Sequence, residues 1–75
     1  MPKNSELNLL GVGWPVCLLE CKRILKDMVS GDILEISMQD PDAVRELVTI
    51  VERSPDQIVD MAENADHFQI RIQKG

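Results

Sequence analysis

Cys17 and Cys21 are the two cysteines of this 75-residue sequence, and they are its only candidate soft nucleophiles. A thiol attacks as the thiolate, so the question is whether either one sits where a positive potential favours that form and a reactant can reach it. The spacing of four puts both on one side of a helix, with Cβ atoms about 5–6 Å apart. A disulfide wants roughly 3.5–4.5 Å, so both thiols are expected to be free, as suits a reducing cytoplasm. Helical periodicity runs through Cys17, Leu18, Cys21, Ile24, Leu25 and Met28, an apolar stripe about 100° wide. Cys21 falls near its middle and reads as a small hydrophobe of the core. Cys17 falls toward one edge, within the first turn, where the positive end of the helix still acts. It either packs inward or is the candidate catalytic thiol.

Other chemistry finds little to build on. The single histidine, His67, lies on the outward phase of the last strand, and two cysteines four apart match no closed zinc spacing, so no metal and no cofactor are expected. No phosphate loop, dinucleotide fingerprint or serine elbow occurs. Asp40 and Asp42 resemble a carboxylate pair, but a helix cap with a first-turn acid accounts for both.

The elements that must position these residues follow from patterning. Leu7, Leu9, Leu10 and Val12 form a short apolar stretch that ends in Gly11-Val12-Gly13-Trp14-Pro15, read as a first strand turning into a helix. Pro15 fits the first helical position, and Ser30-Gly31-Asp32 stops the helix. Residues 33–38 alternate as a strand, with Leu34, Ile36 and Met38 on one face. Asp40-Pro41-Asp42 then opens a second helix with the stripe Ala43, Val44, Leu47, Val48 and Val51, and Ser54-Pro55 closes it. Two strands follow, 57–63 and 67–73, joined through Asn64-Ala65-Asp66. The order β-α-β-α-β-β predicts a two-layer α/β sandwich, a four-stranded mixed sheet covered on one face by two helices. Ile33 and Ile58 are the expected apolar breaks in the uncovered face.

Residues 1–75 are expected to form one domain, with 1–6 a disordered tail. A length of 75 residues leaves room for one small core. The chain is 44% hydrophobic and 28% charged, outside the composition of disordered chains. Its longest uncharged run, residues 7–19, is too short and too interrupted for a membrane span, and the start lacks the features of a secretory signal. No membrane association is expected, and a cytoplasmic location is. Thirteen acids against eight bases, a net charge of −5, argue against nucleic acid, whose binding rests on neutralised phosphates.

Leu7-Asn8 and Gly11 before the first turn, Pro15, Gly31-Asp32, Asp40-Pro41, Arg45-Glu46 and the closing Lys74-Gly75, in this order and register, resemble the TusA/SirA family of small sulfur-carrier proteins over nearly the whole chain. In that family the first turn carries a Cys-Pro-x-Pro motif whose cysteine accepts sulfane sulfur from a desulfurase as a persulfide and passes it on. The corresponding stretch here reads Trp14-Pro15-Val16-Cys17. The resemblance thus implies the family's scaffold with tryptophan in place of the sulfur-bearing residue, and indole cannot carry a persulfide.

Two functions follow as expectations. In the first, the protein lacks the standard persulfide chemistry and acts by binding a protein partner, possible partners being a cysteine desulfurase or a sulfur-acceptor protein. In the alternative it is an active sulfurtransferase with Cys17 as the persulfide-bearing thiol. Trp14 reads either as a plug over the open end of the core or as an exposed partner anchor with Pro15. Lys22, Arg23 and Lys26 read as a solvated face of the first helix or as a docking patch for an acidic partner. A monomer is expected.

Overall fold

The computed structural model describes residues 3–75. The elements are β1 (Asn4–Asn8), α1 (Val16–Asp27), β2 (Ile33–Met38), α2 (Pro41–Glu52), β3 (Gln57–Glu63) and β4 (Phe68–Gln73). The strands form one mixed sheet in the order β1-β2-β4-β3. β1 runs parallel to β2, while β4 is antiparallel to both β2 and β3. It is the expected two-layer α/β arrangement.

Why these segments form is legible locally. In β2 burial alternates residue by residue, with Leu34, Ile36 and Met38 inward, because side chains of a strand point to opposite faces. At the start of α2 the Asp40 carboxylate accepts from the Asp42 backbone N–H at 2.9 Å and Pro41 takes the first helical position, where its missing N–H leaves no bond unmade. α1 starts differently. Pro15 is the capping residue rather than the first helical one, with no side-chain cap, and the Trp14–Pro15 peptide is cis. The core gathers Cys17, Cys21, Leu34, Ile36, Ala43, Leu47, Ile70 and Ile72, all at 0% exposure. Truncating one of the large aliphatic members to alanine costs about 2–5 kcal/mol, comparable to the net stability of so small a domain.

The topology fixes where the two helices point. β3 is parallel to β2, since both oppose β4. Each helix therefore returns the chain from the carboxyl end of one strand to the start of a parallel one. Both helix N-termini consequently lie on the rim formed by the carboxyl ends of β1 and β2. The β3–β4 loop lies on that rim too, because Phe68 pairs with both Met38 and Glu63. In open α/β sheets this rim is where ligands bind.

Three details depart from the sequence reading. The first strand spans Asn4–Asn8, not the apolar run 7–12. Parallel pairing with β2 takes up its polar residues, Lys3 O already accepting from Ile33 N at 2.9 Å. Lys3 to Glu6, expected as tail, thus lie in or beside the sheet, while Met1 and Pro2 fall outside the described residues. Second, a bulge between Ile58 and Asp60 shifts the phase of β3, as an extra residue in one strand does. Ile58 packs against the core, and it is the exposed Val59 that joins Ile33 on the uncovered face. Third, His67 belongs to the β3–β4 loop, its carbonyl accepting from Asn64 N at 2.8 Å. Among the described residues no helix is long and apolar enough to cross a membrane.

Candidate functional site

The loop between β1 and α1 is held from both sides. Asn8 Oδ1 accepts from Leu10 N at 3.0 Å, and Leu9 O from Val12 N at 3.0 Å, which bends the chain as soon as β1 ends. Gly11 then takes φ +81°, a conformation open to glycine at little cost. Its N–H donates to Gln39 Oε1 at 2.8 Å, tying the loop to the β2–α2 connection. Cys17 N donates to Gly13 O at 3.1 Å as α1 begins.

This frame carries Trp14 outward, 56% exposed, with its Nε1–H donating to Glu46 Oε2 of α2 at 3.1 Å. The indole does not plug the core; the residue of this segment that is buried in it is Leu9, at 3% exposure. Between Trp14 and the first turns of α2 lies an open cleft of about 500 Å³ lined by Trp14, Asp40, Asp42, Arg45 and Glu46. Arg45 pairs with Asp42. Asp40 is engaged as the cap of α2, and Glu46 by the indole alone. Three carboxylates thus meet one guanidinium, and among the described residues neither Asp40 nor Glu46 has an ion-pair partner.

The thiols are in another environment. Cys17 and Cys21 are both free and both at 0% exposure, packed in the core under α1. Burial, and then the charges of Cys17 and Glu20, push the Cys21 thiol up to about 12, so thiolate is negligible at neutral pH. Cys17, the candidate catalytic residue, occupies the first turn as expected, but its sulfur is closed off. No second protein can meet it unless that turn opens.

The remaining candidates do not converge on Trp14. Pro15 is exposed beside it. Lys22, Arg23 and Lys26 are exposed on α1, with Lys22 and Lys26 roughly 9 and 15 Å further along the helix axis than Val16. Arg23 is engaged by Glu20 at 2.8 Å, which raises its affinity for the proton. Sequence reasoning missed Asp40, Asp42 and Glu46 as neighbours of Trp14, since a contact 32 residues apart leaves no local pattern. The signal available was that Asp40-Pro41 and Arg45-Glu46 belonged to the quoted resemblance.

At the opposite rim the polar groups close on themselves. Asp32 accepts from Lys3 N at 3.0 Å and Val29 N at 3.1 Å, and these N–H groups hold its carboxyl below the usual range. Gly31 and Asp32 exchange backbone bonds with Lys74 at 2.8 Å each. Asp56 accepts from Gly75 N at 2.9 Å, with Lys74 Nζ at 3.6 Å.

This is a small two-layer α/β protein with an exposed loop ahead of its first helix. The family model described as "Sulfurtransferase TusA" matches residues 5–74. The chain is also 25% identical over 71 residues to the sulfur carrier protein TusA of Allochromatium vinosum, covering 95% of this chain and 93% of that protein. The chain belongs to the TusA family of sulfur carriers.

Proposed function

We propose that this TusA-family protein works by docking a protein partner on its Trp14 loop and does not hold sulfane sulfur there. The observation that carries the reading is the contrast at the start of α1: Trp14 is 56% exposed while both sulfurs are at 0%. In the register of the family resemblance Trp14 takes the place of the cysteine of the Cys-Pro-x-Pro motif, and an indole offers no lone pair able to accept sulfane sulfur. An exposed tryptophan held at its ring nitrogen suits an interface, where one rigid side chain covers much area at little entropic cost. The partners favoured are those on either side of a sulfur carrier, a cysteine desulfurase or a sulfur-acceptor protein. The free thiols fit a reducing cytoplasm.

The test is to treat the native protein with a cysteine desulfurase and cysteine, and separately with a small alkylating reagent. Unchanged mass is expected in both, with retention of an immobilised desulfurase or acceptor by the wild type and its loss in Trp14→Ala. Gain of one sulfur atom at Cys17 would replace this reading by that of a carrier whose thiol has moved one turn into the helix.

A further inference from the structure

We infer that the Trp14 cleft receives an arginine side chain of the partner, presented by an apolar segment. The inference rests on the reading of the Trp14 loop as a docking site and adds the chemistry of the occupant. Its basis is charge complementarity. Asp42 and Arg45 neutralise each other, whereas Glu46 is bound only by a neutral indole N–H and Asp40 only by a backbone N–H. Neutral donors leave the carboxylate charges in place, and the fractional positive charge at the α2 N-terminus offsets part of them.

The surroundings point the same way. Glu63 and Asp66, the latter bound to His67 at 2.8 Å, lie on the same rim through the β3–β4 connection and add acidic groups to that end of the molecule. An acidic partner meets repulsion on this approach. Trp14 supplies the other half of the recognition, since the indole is the aromatic ring that best attracts a cation to its face. Arginine fits better than lysine because its planar fork can stack on the ring while donating sideways to carboxylates. Val16 and Leu19, 53% and 57% exposed, are neighbours on one side of α1 immediately after Trp14. They give the flanking apolar residues of the segment a surface to cover.

Trp14 is the single tryptophan, so its fluorescence reports the cleft directly. The probes are a blocked peptide alternating leucine with arginine, the same peptide with citrulline for arginine, and the same with glutamate. The arginine peptide should bind about tenfold more tightly than the citrulline one, the difference of a charge-assisted hydrogen bond, and lose that advantage in high salt. Glu46→Gln keeps an acceptor for the indole N–H and removes the charge, so it should erase most of the preference. Asp60→Asn, the same charge change on the uncovered sheet face, should not.

Equal binding of the arginine and citrulline peptides overturns the inference, and if Trp14→Ala then abolishes both when binding is followed by calorimetry, the docking reading itself survives. Tighter binding of the glutamate peptide, or no response to the arginine peptide, also overturns it. So does sedimentation showing that the chain self-associates until the arginine peptide is added, because the cleft is then occupied by the cations of a second copy.

Discussion

On the rim where α1 and α2 end, Asp32 and Asp56 direct their carboxylates at backbone N–H groups of their own chain. On the rim where the helices begin, Asp40 and Glu46 stand beside an exposed indole, and the one guanidinium of the cleft, Arg45, is paired with Asp42 instead of with either of them. Residues of the family resemblance fall on both rims. Gly31-Asp32 and Lys74-Gly75 bond one another and clamp the sheet, so their presence tells of scaffold. Asp40 caps α2, whereas the exposed Glu46 is bound only by the indole. Shared motifs therefore divide into those the fold itself uses and those left free to meet another molecule, and only coordinates make that division.

The strongest way to break the contrast is to put a thiol on the open rim. Trp14→Cys should give a sulfur that alkylates in the native state, at the start of a helix where thiolate is favoured. Cys17 and Cys21, in the core, should react only through unfolding. With about 3–5 kcal/mol of stability, that implies labelling slower by roughly two to four orders of magnitude. Mass spectrometry against time reads both rates, and rapid labelling of Cys17 in the wild type would remove the distinction between rims.

The closed rim should register as stability. Asp56→Ala leaves Gly75 N–H without its acceptor and Lys74 Nζ without its charge partner, and should cost about 1–3 kcal/mol in urea unfolding. Asp32→Asn tests the charge more narrowly, since the amide oxygen can still accept. The Asp32 carboxyl is held below its ordinary value of 3.8 by the N–H groups of Lys3 and Val29. A group depressed in the folded state stabilises above its unfolded value and loses that contribution as pH falls through the folded one. The wild type should therefore melt above Asp32→Asn at neutral pH, and the two curves should converge as pH drops below 3.8. A gap that persists in strong acid would assign the effect to shape instead.

How much of this was legible in the sequence depends on the range of the cause. The cap at Asp40, the stripe of α2, the alternation of β2 and the burial of Cys21 are local, and the sequence predicts each of them. The edge strand Asn4–Asn8 carries no apolar alternation on which periodicity could act, and only β2 identifies it. The bulge beside Val59 reverses the face of Ile58 without altering the composition of the strand. Cys17 sits at the stripe's edge by helical phase, yet it is enclosed as fully as Cys21. Leu9, just after the Asn8 turn, belongs to the same core cluster, and a helical projection contains no loop. The cleft itself joins two segments through one side-chain hydrogen bond, and no window of sequence spans both.

The smallest expected effect sharpens the comparison most. Trp14→Ala removes the largest side chain of the protein, which in a core would cost about 3–5 kcal/mol. Here the indole is 56% exposed and its one hydrogen bond is to an exposed carboxylate, which water can replace. The change in urea-unfolding free energy should stay within about 0.5 kcal/mol, as for surface substitutions away from caps and cores. A loss of several kcal/mol would mean that the loop braces α1 and that Trp14 belongs to the scaffold after all. A near-zero change together with loss of partner binding would leave recognition as the function of the indole, because a side chain that contributes little to folding and much to association belongs to the interface.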